Sequence, residues 1–512
     1  MSDALKAAGS SADRVHFTRG ASYLIIQTFS VNAITVVAFV VLARLITVKE
    51  MGIWAVLQLL VAVCTTFITW FPAAVTKFVA ENVSGGLMSK ASAAFYQALR
   101  ANIVLYIPVV AGFYLGSTFL AFHLLGDASY AILFRVLALD VCLSAGILPL
   151  ATAALLGLRM FRQVALVSLI VGGLFRQILI ISLILIMRNF VGLVIGWLVS
   201  DAITAAILLV MVMRSLGMPR FDFPLSKLFR FYLPMEFGQI MIFGQTWFDR
   251  ALLVAFVPLA TLGIYSAAVT AYGVVASVSD SMSRMLLPAL SSIQGKTDGF
   301  RAFRDAARLA TRYAVLTIIP IDLLLLATAK PALTLLIGGS YVSGSLPLMI
   351  FCAADALTAF ATVMSPALQS LEDTTAIGVT VGVSVPIGLV IAYLLLPGWG
   401  IVGAAVGRAS IILLIAILQF LVTKRKISLQ LDFRMVEKTL AAGTVMAAIV
   451  AAMQLAYYSK FLLPLYGLVG VAVYFLMLKL LKIVEPADLD LLRDFVGRKF
   501  SIISSILTRI LS

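Results

Sequence analysis

From about residue 20 to residue 482 the sequence is a succession of apolar runs, each long enough to cross a bilayer, separated by short breaks of Gly, Pro or charge. A crossing needs about 20 mostly apolar residues. Runs of that length lie near 20–46, 52–76, 94–122, 129–156, 163–187 and 190–213. A second set lies near 231–257, 260–290, 310–337, 345–369, 374–396 and 400–423, and two more near 437–458 and 461–482. The fold class expected is an all-α polytopic membrane protein with about fourteen transmembrane helices. Tight turns are expected at Pro258 and at Leu396-Pro397-Gly398.

Composition closes off a water-soluble reading. Of the 512 residues 62% are hydrophobic and 12% charged, with a mean hydropathy of +1.09. Soluble domains carry about 25% charged residues. The surplus apolar side chains need lipid to face. The net charge of +15 is no nucleic-acid footprint, because the basic residues sit between apolar runs and no aromatic-plus-basic motif accompanies them.

Placing the N-terminus in the cytoplasm puts 28 of the 38 Lys and Arg residues on the cytoplasmic side. Only Arg44, Lys49, Arg188, Lys330 and Lys460 fall outside, and five lie within spans. That bias is the positive-inside pattern of a cell-membrane protein with both termini cytoplasmic. The first residues, MSDALKAAGSSADRVHFTRG, lack an apolar core and read as a cytoplasmic tail, not a cleaved signal. Cys64, Cys142 and Cys352, and the two histidines His16 and His123, form no ligand or redox pattern, so no metal or cofactor is expected.

The two halves resemble each other at offsets of about 208 to 216. Residues 43–58 align with 255–270, matching Gly52 to Gly263; 70–78 align with 286–294, matching Pro72 to Pro288. Residues 154–169 stand opposite 367–382, and 191–203 opposite 399–411, matching Gly192 to Gly400. Six spans per copy make the repeat parallel, with a substrate site expected where the copies meet. The implied organisation is a tail over 1–19, a six-helix bundle over 20–214 and a cytoplasmic linker over 215–230. A second bundle covers 231–424, two additional helices 425–482, and an amphipathic cytoplasmic tail 483–512.

Charges inside spans are costly and usually face a cavity or a partner. The chain carries Arg135, Asp140, Arg176, Asp201, Glu236, Asp249, Arg250, Asp280, Arg284, Asp322, Asp355 and Arg408 at such places. Asp280 and Arg284 share one helical face at i,i+4, while Arg135 and Asp140, five apart, fit each other poorly. Asp140 and Asp355 are matched by the repeat. Arginine forks suit a phosphate or pyrophosphate. The carboxylates Asp249, Asp280, Glu236, Asp140, Asp201 and Asp355 are expected to hold those arginines or to bind a coupling ion, H⁺ or Na⁺. Pro72, Pro234 and Pro288 are candidate hinges.

Further motifs stand in order along the chain. They are Arg19-Gly20 opening span 1, Ala43-Arg44 through Gly52, Pro234, Asp249-Arg250 and Leu262-Gly263-Ile264-Tyr265-Ser266-Ala267-Ala268. Pro288-Ala289-Leu290-Ser291 and GIVGAAVGRA at 400–409 come next. Over roughly residues 15–480 the chain resembles the polysaccharide-transporter (Wzx-like) branch of the multidrug/oligosaccharidyl-lipid/polysaccharide flippase superfamily. The resemblance implies a non-enzymatic flippase with two bundles in a V around a cavity formed by spans 1, 2, 7 and 8. Its substrate would be a lipid-linked oligosaccharide, moved from the cytoplasmic to the outer leaflet, and its partners would be membrane lipids and the glycan polymerase or glycosyltransferases of the same pathway. Carried over to this chain, the headgroup contacts are Arg19, Arg250 and Arg284, then Arg135, Arg176 and Arg408. Spans 13 and 14 match the extra pair that lines a lipid-tail groove in lipid II flippases. Spans 1 and 2 hold only Arg19 and Lys77 at their feet, fewer basic residues than lipid II flippases carry. Drug exporters of the superfamily usually have twelve spans, and polymerases or ligases need larger outer loops.

The orientation has a direct test. In a chain with Cys64, Cys142 and Cys352 replaced, a cysteine introduced at Arg188 should react with an impermeant maleimide added to intact cells. One introduced at Arg301 should react only after permeabilisation.

Overall fold

The computed structural model describes residues 11–294, 299–428 and 431–483; side chains are not described at 11–22, 25, 294 and 299. The amphipathic tail expected over 483–512 lies, past Ile483, outside the described residues. Everything regular in the described chain is helical. The helices are α1 (Ser11–Leu45), α2 (Val48–Phe67), α3 (Pro72–Ser84), α4 (Met88–Leu115), α5 (Ser117–Leu125), α6 (Ala131–Val141) and α7 (Leu148–Gly157). Next come α8 (Phe161–Leu169), α9 (Arg176–Met187), α10 (Val191–Leu216), α11 (Leu225–Phe256), α12 (Leu259–Gln294) and α13 (Gly299–Leu336). The last are α14 (Ser345–Thr358), α15 (Met364–Ser370), α16 (Thr374–Trp399), α17 (Ile401–Ile427), α18 (Phe433–Ala456) and α19 (Leu463–Leu480). The chain divides into two compact units, one up to Ser266 and one from Ala267.

Thirteen described segments are long and apolar enough to cross a membrane. They match thirteen of the fourteen expected spans. The fourteenth, expected at 231–257, is present as α11, 32 residues long, but it is too polar to qualify. Lys227, Arg230, Glu236, Gln239, Gln245, Asp249 and Arg250 all lie on it.

Span 2 departs from expectation in a second way. It is not one helix over 52–76: α2 ends at Phe67, the chain unwinds through Ile68–Phe71, and α3 starts at Pro72. Proline has no N–H and clashes with a preceding helical turn, so it opens a helix readily and continues one poorly. Phe71 takes up a left-handed conformation, φ 79°. Backbone freed in this way needs partners, since hydrocarbon supplies none; the Ile68 and Thr69 N–H groups donate to the Cys64 carbonyl, and side chains serve others. The Asn102 amide accepts from the Trp70 N–H at 2.9 Å and donates to the Trp70 carbonyl at 2.6 Å. The Tyr232 hydroxyl donates to the Thr69 carbonyl at 3.0 Å. The Thr69 hydroxyl sits between the Tyr106 hydroxyl, at 2.8 Å, and the Ala145 carbonyl, at 2.6 Å. Ala145 lies in a π-helical turn, Cys142–Ile147, joining α6 to α7. Pro288, the repeat partner of Pro72, by contrast lies inside α12 without breaking it.

The repeat is visible in local geometry. Each unit ends a span with the same cap: Leu158, Arg159 and Met160 donate to Ala154, Leu156 and Leu155, while Leu371, Glu372 and Asp373 donate to Ala367, Gln369 and Leu368. Arg159 and Glu372 hold φ values of 59° and 60°. These are the residue pairs of the 154–169/367–382 alignment. The glycine register near 400 is shifted from the one expected. Gly192 packs its α-carbon onto the Leu183 carbonyl and Gly403 onto that of Leu395, so Gly403, not Gly400, is the counterpart of Gly192. Gly400 instead caps α16 with φ 52°. Helix α16 therefore runs through Pro397 to Trp399, and the turn expected at Leu396-Pro397-Gly398 falls two residues later. The Val257–Pro258 turn is where it was expected.

Gly52 and Gly263 meet each other reciprocally. A Cβ on Gly52 would lie 1.8 Å from the Leu259 carbonyl oxygen, and one on Gly263 would lie 2.2 Å from that of Val48. Both residue pairs, 48/259 and 52/263, are related by the same offset. Small residues let membrane helices approach at backbone distance. Gly52→Ala should therefore cost about 2 kcal/mol by overpacking, read as a lowered melting temperature in detergent. Gly112→Ala, which meets nothing within 4 Å, should be neutral or slightly stabilising.

Candidate functional site

The intramembrane charges gather in three places. The first lies in the unit up to Ser266, on α6, α9 and α10. Asp140 on α6 is 1% exposed and Asp201 on α10 is 2% exposed. Arg176 opens α9 directly after a second π-helical turn, Ile170–Phe175, and Asp140 stands just before the first. A π turn carries one residue more than the α-helical repeat and rotates the helix beyond it about its axis. Arg176 Nη1 reaches Asp201 Oδ1 at 3.4 Å, and its guanidinium lies 5.1 Å from the Trp197 ring centroid. Asp140 is within electrostatic reach of both, yet neither of its carboxylate oxygens carries a hydrogen bond. The Ser144 hydroxyl near it donates to the Asp140 backbone carbonyl instead.

The second group is built on α11. Asp249 is fully buried. It accepts from the Tyr265 hydroxyl at 2.6 Å and from the Arg250 backbone N–H at 2.8 Å. Tyr265, on the first turns of α12, is fully buried too. Asp249 is thus a fastener between α11 and α12. Arg250 turns the other way and lies 4.5 Å from the Trp247 ring centroid. One helical stretch away, Glu236 accepts from Tyr232, the same hydroxyl that serves the broken second span. Around Glu236 the exposed residues of α11 include Leu233, Met235, Phe237 and Gln239, distributed about the helix.

The third group lies in the unit from Ala267. Asp322 on α13 is fully buried with both carboxylate oxygens unbonded, and one oxygen of Asp355 on α14 is in the same state. The two are within electrostatic reach of each other, and Asp355 is within reach of Asp280 on α12. Arg284 is the opposite charge acting on Asp280, as their i,i+4 spacing implies, and both are exposed. Arg408 lies 5.9 Å from the Phe351 ring centroid, and Tyr272 faces the same ring at 5.5 Å.

The structure therefore brings Arg176, Asp201 and Asp140 together, Asp280 with Arg284 and Asp355, and Asp249 with Tyr265. It does not bring Arg135 to Asp140: Arg135 is exposed, bonded by Nε to the Ser117 hydroxyl at 3.2 Å. Arg19 lies in α1, with its side chain outside the described residues. Asp322 was legible as a span charge, but only contact with Asp355 gives it a role. Tyr232 and Asn102 carry no signal in the sequence, being ordinary apolar-span residues until their distant partners are known, and Tyr265 is legible only as part of the 262–268 motif, not as the partner of Asp249. Among the described residues no three His, Cys, Asp or Glu side chains form a group that could hold a metal ion.

A family-wide sequence profile described as "Polysaccharide biosynthesis protein" matches residues 17–294, more than half of the chain, from early in α1 to the end of α12. The chain belongs to the polysaccharide biosynthesis protein family. No curated protein sequence matches it. Among solved structures it is similar to the lipid II flippase MurJ in an inward closed conformation, with a TM-score of 0.69 and 13% identity over 91% of this chain and 99% of that one. It is also similar to an inward-facing multidrug resistance MATE family transporter of the MOP superfamily, with a TM-score of 0.64 and 13% identity over 77% and 94%. A MOP superfamily transporter from Pyrococcus furiosus, described as having a binding pocket of reversed polarity, is similar at 0.53 and 15% over 80% and 95%. The fold of this family member is thus that of the MOP-superfamily transporters.

The buried charges separate by stability. Asp201→Asn leaves Arg176 without its buried carboxylate and should cost about 2 kcal/mol, the lower side of what breaking a buried pair costs because Arg176 is a quarter exposed. Asp140→Asn removes an unbonded buried carboxylate and should leave the melting temperature unchanged or raise it.

Proposed function

We propose that this family member is a flippase that carries a lipid-linked oligosaccharide, on a polyprenyl phosphate or pyrophosphate, from the cytoplasmic to the outer leaflet by alternating access. The observation that carries the reading is α11. A 32-residue helix that carries Lys227, Arg230, Glu236, Gln239, Gln245, Asp249 and Arg250 among its apolar residues suits the wall of a water-filled path better than a position wholly in lipid. Asp249 on that helix is engaged by Tyr265, while Arg250 beside it rests on the Trp247 ring. A guanidinium stacked on an aromatic ring presents in-plane donors to an anionic headgroup. Arg284, exposed on α12, is a second arginine fork, in the unit from Ala267.

Ion coupling fits the unbonded carboxylates. Asp140 beside the Arg176–Asp201 pair, and Asp322 beside Asp355, are each held where a proton or a cation relieves an uncompensated buried charge. The path accepts an anion and the flanking carboxylates accept the coupling ion. Between drug exporter and flippase, the arginines favour the flippase, since an organic cation would be repelled by Arg250 and Arg284.

The decisive measurement uses purified protein in liposomes with a fluorescent polyprenyl-pyrophosphate oligosaccharide, read by quencher access to the outer leaflet. Wild type should exchange it, Arg250→Ala and Arg284→Ala should each slow exchange at least tenfold, and Asp140→Asn should lose dependence on an imposed pH gradient while keeping its fold. Exchange untouched by either arginine change would sink the site assignment. Efflux of organic cations without glycan-lipid exchange would sink the substrate.

A further inference from the structure

A cavity of about 350 Å³, lined by none of the residues of these three groups, lies at the N-terminal end of α13. Its wall mixes two chemistries. Leu309, Val315, Leu431, Met435 and Val436 make it apolar, while Asp305, Arg308, Thr311, Arg312 and Asp432 make it polar. The polar part is built rather than incidental. Arg308 and Arg312 are one turn apart on α13. Arg312 is anchored by donating to the Ile483 carbonyl at 2.8 Å, and Lys438 on α18 donates to the neighbouring Leu481 carbonyl at 3.0 Å. Two cations thereby cap the last turn of α19 and tie α13, α18 and α19 into one wall. The Asp432 carboxylate is occupied as the N-cap of α18, accepting from the Met435 N–H at 3.1 Å. The Thr311 hydroxyl is occupied by Ala307.

Depth and charge indicate what such a cavity holds. Helix α13 has 38 residues, about 57 Å at 1.5 Å per residue, against a hydrocarbon core of about 30 Å. Lys330 near its far end is exposed and marks one boundary. Counting about 20 residues back from it places the other boundary near residue 310. The cavity thus sits at headgroup level, apolar side chains toward the acyl region and Arg308 toward water. The segments that frame it, 299–312 and 431–438, contain Arg301, Arg304, Arg308, Arg312, Arg434 and Lys438 against Asp305, Asp432 and Glu437. The lining itself sets Arg308 and Arg312 against Asp305 and Asp432, and the flanking segments raise the balance to six basic residues against three acidic ones, on the side that the lysine and arginine bias assigns to the cytoplasm. Arg308 is exposed and forms none of the ion pairs described.

We infer that the cavity between α13 and the start of α18 is a binding site for the phosphate headgroup of an anionic phospholipid of the cytoplasmic leaflet, with Arg308 as its charge contact and the apolar wall receiving the start of the acyl chains. Basic pockets between membrane helices at this depth are suited to such headgroups, and an arginine fork matches a phosphodiester in geometry. The site shares no lining residue with the three charge groups. Its bound lipid would brace α18 against α13.

The test uses full-length protein reconstituted in nanodiscs of phosphatidylcholine alone or mixed with phosphatidylglycerol, with thermal unfolding and retained-lipid counting by native mass spectrometry as readouts. Wild type should melt higher in the mixed discs and retain phosphatidylglycerol through delipidation. Arg308→Gln should weaken retention roughly tenfold, the loss of one charge-assisted hydrogen bond, and abolish the thermal shift. Arg301→Gln, outside the cavity, should keep both. Because Arg312 also anchors Ile483, Arg308→Lys serves as the fold-preserving companion and should restore part of the retention. An unchanged thermal shift in Arg308→Gln would overturn the assignment. So would an equal shift from inorganic phosphate in phosphatidylcholine discs, which would make the site one for a soluble anion.

Discussion

Everything in this fold answers to one requirement: inside hydrocarbon, a backbone N–H or C=O that leaves its helix must find a partner in the protein. Most of the chain meets it by staying helical. The unwound Ile68–Phe71 segment meets it with the Asn102 amide, the Tyr232 hydroxyl and the Cys64 carbonyl, while its Thr69 hydroxyl in turn donates to the Ala145 carbonyl at a π turn. Apart from Cys64, these partners come from α4, the α6–α7 junction and α11, so the break in one span fixes the positions of three other elements. The polar side chains are the condition for the irregular backbone, and the irregular backbone is the reason those polar side chains are tolerated at that depth.

The charges obey the same logic on a larger scale. A carboxylate taken out of water costs several kcal/mol unless it is paired. Asp201 and Asp249 are paired, one to Arg176 and one to Tyr265, and they behave as structure. Asp140 and Asp322 are equally buried and are not bonded. Burial of that kind is costly, and an asparagine would serve packing as well. The arginines divide similarly: Arg312 anchors a helix end and Arg135 a neighbouring helix, whereas Arg250 and Arg408 rest against aromatic rings.

Much of the architecture was legible because apolar runs, glycine breaks and the lysine and arginine bias are local signals. The hydrogen-bond caps at Leu158–Met160 and Leu371–Asp373 fall at matched positions of the 154–169/367–382 alignment. What the sequence hid was of two kinds. Helix defects, such as the π turns and the four-residue gap before Pro72, change the register between otherwise matched segments, which is why Gly192 pairs with Gly403 and not Gly400. Partners separated by long stretches, such as Tyr232 and Thr69 or Asp140 and Asp201, leave no mark in spacing. The i,i+4 pair Asp280–Arg284 was readable; the neighbouring Asp355 that changes its meaning was not.

The unequal fate of the two repeat prolines has a mechanical side. Pro72 stands at a gap in the backbone, whereas Pro288 rides inside α12, an uninterrupted rod of 36 residues and about 54 Å. A rod moves a tilt applied at one end undiminished to the other, while a gap absorbs it by rotating about a few backbone dihedrals. A duplicated sequence has thus produced one stiff copy and one compliant copy of the same span. Any bending of these two spans would therefore concentrate in Ile68–Phe71.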